Sequence, residues 1–290
     1  MIIETAEQLR NLTGSYYANN DFSKISSIVT AVEKELLQLL GMQSFDSLGT
    51  DAKTAAQQAV AYMATMRFYR LNDISHEDVG RKVKIDKENE ARPFEWQLAR
   101  DDRAHLEEYY RALDRLVDSL QDDNTFKQSK IYQRMQLLIV KDADIMNYLT
   151  GIDPSPWLYI RLIPFLTESQ RFVEKCYGSG FDVESFSEHQ DLEYAAQKAV
   201  ALGAIVLMGR RSSLQSMPYG LMKLYESDGG GNHAEPAGLE QLEVYLKKLS
   251  KDQRYWIEEM KLLRDEVAGK EPATKLQMPE NDPKNKYMRV

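Results

Sequence analysis

The sequence predicts a mainly all-α protein made of two tandem, internally duplicated helical-bundle domains. Apolar residues recur at spacings of three and four along several segments, which is the pattern of helices that bury one face. The start of the chain also aligns with its middle, segment by segment. Of the 290 residues, 43% are hydrophobic and 28% are charged, and this composition is typical of a globular chain with a hydrophobic core.

The duplication rests on two blocks that align at nearly the same separation. A shift of 137 positions places residues 1–14 over residues 138–151, and both blocks end in Leu-Thr-Gly. A shift of 140 places AAQQAVAYMA (55–64) over AAQKAVALGA (195–204), with seven of ten residues identical. Self-similarity in the same order is the mark of a repeated architecture. The alternative is two unrelated helical domains of similar composition.

The predicted organisation has four parts. Residues 1–121 form helical repeat 1, and residues 122–137 form a linker or connecting helix. Residues 138–268 form helical repeat 2. Residues 269–290 contain three prolines and few strong apolar residues, which favours an extended or disordered tail. A functional alternative for this tail is an arm that orders against a neighbouring subunit.

The first repeat opens with two predicted helices. Thr5 is expected to cap a short helix that runs to about Leu12, and Gly14 is expected to stop it. A second helix over 22–40 carries an apolar stripe, and Gly41 follows it as a C-terminal cap.

In the remainder of the first repeat, the sequence predicts two longer helices on either side of a short extended segment. Asp51 is expected to cap a helix over 52–71, whose many small residues allow a neighbouring helix to approach closely. Weak alternation near 79–86 predicts a short strand or hairpin arm. Pro93 lies near the start of a long, charged helix that ends at about Leu120.

The second repeat is predicted to follow the same order. Its expected elements are a helix over 143–149 capped by Asp142, helices over 157–177 and 192–211, a strand pair near 217–226, and a long helix over 239–267. Pro164 departs from the pattern, because its counterpart in the first repeat is Ser27. We expect Pro164 to kink its helix or to mark the true start.

No catalytic, cofactor-binding or metal-binding residues are predicted. Asp102 and His105 are three residues apart on a helix, but a di-iron bundle needs two such elements and further glutamates. A solvated helix face is the expected interpretation. The loop cluster 76–78 (His-Glu-Asp) is expected to cap or turn the chain. Cys176 aligns with the apolar Leu39, which predicts a small core residue and not a nucleophile.

Charge and motifs exclude several classes of protein. The net charge of −8 argues against broad binding to the nucleic-acid backbone, which needs clustered Lys and Arg. A single cysteine excludes an internal disulfide framework, and no signal peptide is visible, so a cytoplasmic location is expected. The longest apolar run, 199–208, is too short for a bilayer. Gly229-Gly230-Gly231 lacks the rest of a phosphate loop and is expected to be a flexible loop.

The chain holds 16 tyrosines, among them Tyr109, Tyr245 and Tyr255. Tyrosine and tryptophan are favoured at protein interfaces, so part of this set is expected to contact a partner. Ordinary packing between helices is the alternative for Tyr109 and Tyr245.

The opening pattern resembles a known family. A short capped helix (5–12), a polar loop, Asn20-Asp21-Phe22, an apolar helix ending at Gly41 and an Ala-rich helix are similar to the head–tail connector (adaptor) proteins of tailed bacteriophages. The doubled form is similar to uncharacterised proteins carried by prophages and mobile elements of gut Bacteroidetes. The resemblance covers residues 1–70 and 138–211 and contains no diagnostic motif. The long charged helices at 93–120 and 239–267 exceed the family pattern.

The resemblance implies a non-enzymatic virion protein that forms a ring by self-association and contacts portal and tail components. It implies no cofactor, no sequence-specific nucleic acid, no membrane and no small-molecule substrate. Two alternatives stay open. One is a non-viral helical scaffold for protein–protein interaction, and the other is an enzyme with a site between the two repeats, since ligand sites favour domain interfaces.

Overall fold

A computed structural model shows that the protein is mostly α-helical, as the sequence predicts. The structure describes residues 1–14, 21–72, 75–77, 80–82, 95–152, 154–186, 188–211, 223–226, 233–236 and 239–269. The helices are α1 Ala6–Thr13, α2 Ser23–Leu40, α3 Thr50–Asn72, α4 Glu95–Leu120, α5 Asn124–Lys127, α6 Lys130–Gln136, α7 Ala143–Thr150, α8 Pro156–Tyr177, α9 Val183–Phe186, α10 Gln190–Arg211 and α11 Leu239–Val267. The strands are β1 Ser75–Glu77, β2 Gly80–Lys82, β3 Lys223–Glu226 and β4 His233–Pro236.

The strands form two separate antiparallel pairs, and neither has the predicted bounds. β1 pairs with β2 so that Ser75 lies opposite Lys82, which is earlier in the chain than the predicted 79–86. β3 pairs with β4 so that Lys223 lies opposite Pro236, whereas the prediction placed a whole strand pair in 217–226. The first prediction followed the alternation of Val83 and Ile85, but the chain pairs a polar segment instead. Residues 83–86 and 217–222 lie outside the described residues.

The short helices α1 and α7 begin as predicted, and each ends one residue later than predicted. The Thr5 side chain accepts a hydrogen bond from the Gln8 amide at 3.1 Å, and the Asp142 carboxylate accepts one from the Ile145 amide at 2.7 Å. At the other end, Gly14 and Gly151 adopt left-handed conformations with φ of 66° and 70°. A residue without a Cβ adopts this conformation at little cost, so both helices stop there.

Two predicted boundaries need correction. α3 begins at Thr50, and the Lys53 amide bonds to the Gly49 carbonyl, so Asp51 lies in the first turn and is not the cap. α8 begins at Pro156 and continues through Pro164, which excludes Pro164 as its start. Proline is well suited to the first turn of a helix because its missing N–H would have no partner there.

The predicted linker 122–137 contains two helices of its own. α5 is one turn long and is capped by Asp123, whose carboxylate accepts a hydrogen bond from the Phe126 amide at 2.8 Å. α6 is capped by Ser129 and ends at Gln136. Leu138, Ile139 and Val140 follow α6 and are buried without being helical.

The chain divides into two compact units. Unit 1 consists of Met1–Leu137, Pro154–Arg161 and Ser213–Ala237, and unit 2 consists of Leu138–Asp153, Leu162–Ser212 and Gly238–Val290. In unit 1, α3 is the central helix and packs against α1, α2 and α4. In unit 2, α10 packs against α7, α9 and α11. The four-part organisation with repeats over 1–121 and 138–268 stays a prediction, and residues 270–290 lie outside the described part of the chain.

The central helices are lined by small buried residues, which let their neighbours pack closely. Ala56, Ala59 and Ala64 of α3 are fully buried, as are Ala196 and Ala199 of α10. Within the described ranges, α10 is the one helix that is long and apolar enough to cross a membrane, but 67% of its apolar window is buried inside the protein. That burial is what a core helix shows.

Candidate functional site

A pair of hydrogen bonds holds one residue near the start of unit 1 to two helices. The Ile2 amide donates to Oε2 of Glu33 on α2 at 3.0 Å. The Ile2 carbonyl accepts from Nε2 of Gln57 on α3 at 3.0 Å. We call this arrangement, with both polar groups of one backbone residue bound by side chains, the clasp.

Unit 2 contains the same arrangement. The Ile139 amide donates to Oε1 of Gln170 on α8 at 2.9 Å, and the Ile139 carbonyl accepts from Nε2 of Gln197 on α10 at 3.1 Å. The shift of 137 aligns Ile2 with Ile139 and position 33 with Gln170, and the shift of 140 aligns position 57 with Gln197. The acceptor of the second clasp is an amide where the first has a carboxylate. Each clasp satisfies buried backbone groups, so its role is structural.

Asp102 and His105 are not brought together as a ligand pair. Oδ2 of Asp102 accepts a hydrogen bond from Nε of Arg70 on α3 at 2.9 Å. His105 is buried, with Nδ1 3.0 Å from the Asp101 carbonyl and its ring edge-on to an aromatic ring of α3, Tyr62, at 6.2 Å. The expectation of a solvated face is therefore wrong for His105, because α4 turns this residue towards the aromatic residues of α3.

The remaining sequence candidates show no reactive grouping in the part of the chain that is described. Among those residues, no three or more His, Cys, Asp and Glu side chains form a metal-binding group. Cys176 is a free, half-buried thiol near the end of α8. His76 and Glu77 belong to β1, and their side chains are outside the described residues, as is Gly229-Gly230-Gly231.

Asp114 is a half-buried carboxylate in unit 1 and has a perturbed pKa. Its Oδ1 accepts hydrogen bonds from the Ser155 hydroxyl at 2.7 Å and from the Trp157 amide at 3.0 Å, at the start of α8. Burial raises the pKa of Asp114, and the two hydrogen bonds oppose that rise. Ser155 in turn accepts from the Leu158 amide at 3.1 Å. These contacts are those of a helix cap, so Asp114 attaches α4 to the N-terminus of α8.

Tyr109 is a buried tyrosine on α4. Burial raises the pKa of its hydroxyl to about 12, and its ring lies 5.3 Å from that of Tyr110 between centroids. The packing interpretation of Tyr109 therefore fits its burial.

Four aromatic rings form a continuous row on the surface of unit 2. The ring of Tyr148 on α7 lies 6.0 Å from that of Tyr194 on α10, which lies 5.3 Å from that of Trp256 on α11. Tyr255 extends the row, 5.4 Å from Trp256. All three pairs are edge-to-face, an arrangement that aromatic rings favour. Tyr148 is 77% exposed and Tyr255 is 60% exposed. We call these four residues the aromatic strip.

The aligned positions of unit 1 are polar. Asn11 takes the position of Tyr148, and Thr54 takes the position of Tyr194, and both are exposed. These two aligned positions therefore differ in chemistry, with aromatic residues in unit 2 and polar residues in unit 1.

A second difference in surface chemistry appears when α2 and α3 of unit 1 are compared with α8 and α10 of unit 2. In unit 1, Arg67 of α3 binds Glu35 of α2 through two hydrogen bonds of 2.9 and 2.7 Å. The aligned residues of unit 2 are Leu207 and Phe172, and Phe172 is 52% exposed. We call these two residues the apolar pair.

An ion pair lies one helical turn from the apolar pair. Arg211 of α10 binds Glu168 of α8 at 2.6 Å. Each partner is four residues from a member of the apolar pair, so Phe172 and Leu207 lie one helical turn away along the same two helices.

No protein-family model matches the chain, and no curated protein or solved structure shows significant similarity to it.

Sequence reasoning did not identify the clasps, although a signal was present. Gln57 and Gln197 are among the seven identical residues of the Ala-rich block. A glutamine among alanines on a buried helix indicates a specific hydrogen-bond partner, because a buried amide needs one. Its partner is 55 residues away in unit 1 and 58 residues away in unit 2, a distance that helical periodicity does not reveal.

Proposed function

We propose that this chain is a non-enzymatic structural subunit of a phage or prophage particle, of the ring-forming head–tail connector type. The observation that carries the proposal is the clasp, which occurs in both units at aligned positions. It supports an internal duplication of one helical unit, which is the architecture expected of the doubled connector-like proteins that the sequence resembles.

The clasp supports the duplication better than sequence identity does. Ala-rich helices resemble one another by composition, whereas a hydrogen-bonded trio from three separated segments has no compositional cause. The aligned pairs Ile2 and Ile139, and Gln57 and Gln197, make the same bonds with the same atoms. Duplication of a single ancestral unit explains why the two sets of hydrogen bonds match.

Two related units with different surfaces suit a ring. A ring needs a heterologous interface, in which one face of a subunit meets a different face of its neighbour. The apolar pair of unit 2 replaces the ion pair of unit 1, so the two units present different chemistry at aligned positions. We assign the apolar pair to the contact with a neighbouring subunit, because burying the exposed Phe172 side chain removes apolar surface from water and stabilises the contact.

The charge of the chain is compatible with a connector. A net charge of −8 disfavours adhesion of DNA, since phosphate and carboxylate repel each other. Portal and tail components are the partners that the resemblance implies, and a cytoplasmic location before assembly follows from the same proposal.

The second candidate is a helical scaffold outside any virion, and the aromatic strip favours it. Exposed tyrosine and tryptophan supply much of the binding energy at many protein interfaces. A scaffold would bind its partner through the strip as a monomer, whereas a connector subunit would self-associate.

Light scattering after size exclusion, with negative-stain electron microscopy of the peak, separates these candidates. The chain should form a closed ring of one defined mass over about a hundredfold range of concentration, because a closed ring leaves no free interface for further growth. The genes next to this one should encode a portal or a major capsid protein.

A double variant tests the ring contact directly. Phe172→Glu with Leu207→Arg introduces the ion pair that unit 1 uses at the aligned positions, so the fold should persist while the ring dissociates. The matched control is Glu168→Arg with Arg211→Glu, which keeps an ion pair one turn away and should leave the ring intact. The proposal is wrong if the wild-type chain stays monomeric and also fails to bind the portal protein of its own genome.

A further inference from the structure

Unit 2 carries two exposed apolar features, the aromatic strip and the apolar pair. Tyr148 and Tyr255 are the most exposed members of the strip, and Phe172 of the apolar pair is also exposed. Unit 1 has polar or ion-paired residues at the positions aligned with Tyr148, Tyr194 and the apolar pair. Burial of apolar side chains is stabilising, so each feature of unit 2 is suited to a contact with another molecule.

The two features lie on different sides of α10. Tyr194 of the strip and Leu207 of the apolar pair are 13 residues apart on this helix. The α-helical repeat places them about 20 Å apart along the axis and about 140° apart around it. The ring of Tyr194 contacts rings on α7 and α11, whereas Phe172 belongs to α8. A chain therefore does not bring the apolar pair onto its own strip, but a second copy of the chain can do so.

The surroundings of the apolar pair are basic. Within one helical turn of Phe172 or Leu207, or next to them in the chain, four side chains are basic and one is acidic. These five exposed residues are Arg171, Lys175, Arg210, Arg211 and Glu168. Arg211 binds Glu168 at 2.6 Å, and the net charge around the apolar pair is positive.

The surroundings of the aromatic strip are acidic overall. The same neighbourhood contains six acidic residues, Asp144, Asp191, Glu193, Asp252, Glu258 and Glu259, and three basic residues, Lys198, Lys251 and Arg254. Lys198 is half-buried and donates a hydrogen bond to the Leu149 carbonyl, so its charge is directed into unit 2. Acidic residues stay in excess when Lys261, which binds Glu258 at 2.8 Å, is included. The two features thus have surroundings of opposite charge, which attract each other across an interface.

We propose that the aromatic strip of one subunit receives the apolar pair of the next subunit in the ring. The inference rests on the proposed function, since it names the surface that the apolar pair meets. Phe172 then packs among aromatic rings, which favour edge-to-face contact with one another. A strip on one side of the subunit and a pair on another form the heterologous contact from which rings are built, and a closed ring leaves neither feature uncovered.

A strip variant shows whether the strip belongs to the ring contact. Tyr148→Asn with Tyr255→Lys changes exposed side chains only and adds a positive charge that repels the basic surroundings of the apolar pair. Under the conditions in which wild type forms its ring, light scattering should find this variant monomeric with unchanged helical content. Leu137→Lys is the matched control, because it adds the same charge at an exposed apolar residue of unit 1, and its ring should persist.

A mixture of two monomeric variants tests the pairing itself. The strip variant keeps its apolar pair, and Phe172→Glu with Leu207→Arg keeps its strip, so the two chains together form one intact contact. At the highest concentration used for wild type, an equimolar mixture should contain a species of twice the monomer mass that grows no further. Phe172→p-benzoylphenylalanine in the strip variant should cross-link to α7 or α11 of the other chain.

The outcomes separate this inference from the proposed function. A strip variant that still forms the ring overturns the inference and leaves the proposed function standing, with the strip free for another partner. A mixture that stays monomeric, or a cross-link within one chain only, overturns the inference as well. A wild-type chain that stays monomeric, alone and with its own portal protein, overturns the proposed function and this inference together.

Discussion

Thr65 is a buried residue of α3 whose hydroxyl lacks a hydrogen-bond partner. The side chain is fully buried, and Oγ1 has no donor or acceptor within reach among the described residues. A buried unsatisfied hydroxyl costs about 1–3 kcal/mol, and Thr and Val have similar helix propensities and sizes. The aligned residue of unit 2 is Ile205, which is also buried. We therefore expect Thr65→Val to raise the free energy of unfolding by about 1 kcal/mol.

Urea unfolding followed by far-UV circular dichroism measures this change. The midpoint should rise at an unchanged slope, because the surface exposed on unfolding stays the same. The midpoint temperature should rise by about 2–4 °C for a chain of this size class. The transition that contains unit 1 is the one to compare.

Thr54→Val is the control in the same helix. Thr54 is exposed, and its Oγ1 donates to the Thr50 carbonyl at 2.8 Å, so the free energy of unfolding should change by no more than about 0.5 kcal/mol. The reasoning is refuted if Thr65→Val destabilises the protein, or if both variants stabilise it equally.

Two further substitutions test the helix contacts. Because burial raises the pKa of Asp114, the folded protein binds its proton more tightly than the unfolded chain does, so Asp114 favours folding more as the pH falls through the raised pKa towards 3.8. The stability of wild type relative to Asp114→Asn should thus increase from pH 7 to about pH 4, as measured by urea midpoints, and a constant difference would contradict this. Gly203→Ala should lower the free energy of unfolding by about 1–3 kcal/mol, because its Cβ would collide with Gln253 of α11 and Ser169 of α8. A gain in stability from helix propensity, seen in thermal unfolding, would show that the neighbours move aside.

The sequence predicted local features well because their causes are local. The Thr5 and Asp142 caps lie beside the helices they start, and Gly14 lies beside the one it ends. Asp51 failed as a cap because Thr50, one residue earlier, is already helical, and both residue types suit a helix start. α5 was missed because four residues are too few for a periodic pattern.

Contacts between segments far apart in the chain could not be predicted from the sequence. Asp114 meets Ser155 across 41 residues, and periodicity gives no register between α4 and the start of α8. The aromatic strip joins three helices, so Tyr148, Tyr194 and Trp256 looked like separate residues in the sequence. The burial of His105 likewise depends on the rotation of α4 against α3, which a single charged helix does not specify.

The clasps hold the chain just ahead of two short capped helices, α1 and α7, and act on them as latches. α1 and α7 have eight residues each, fewer than an isolated helix needs to persist in water. Each helix therefore unfolds cooperatively when the clasp hydrogen bonds of Ile2 or Ile139 break. The backbone amides of that helix should then exchange with solvent at a common rate. The latch of unit 1 closes on the carboxylate of Glu33, whereas that of unit 2 closes on the uncharged amide of Gln170.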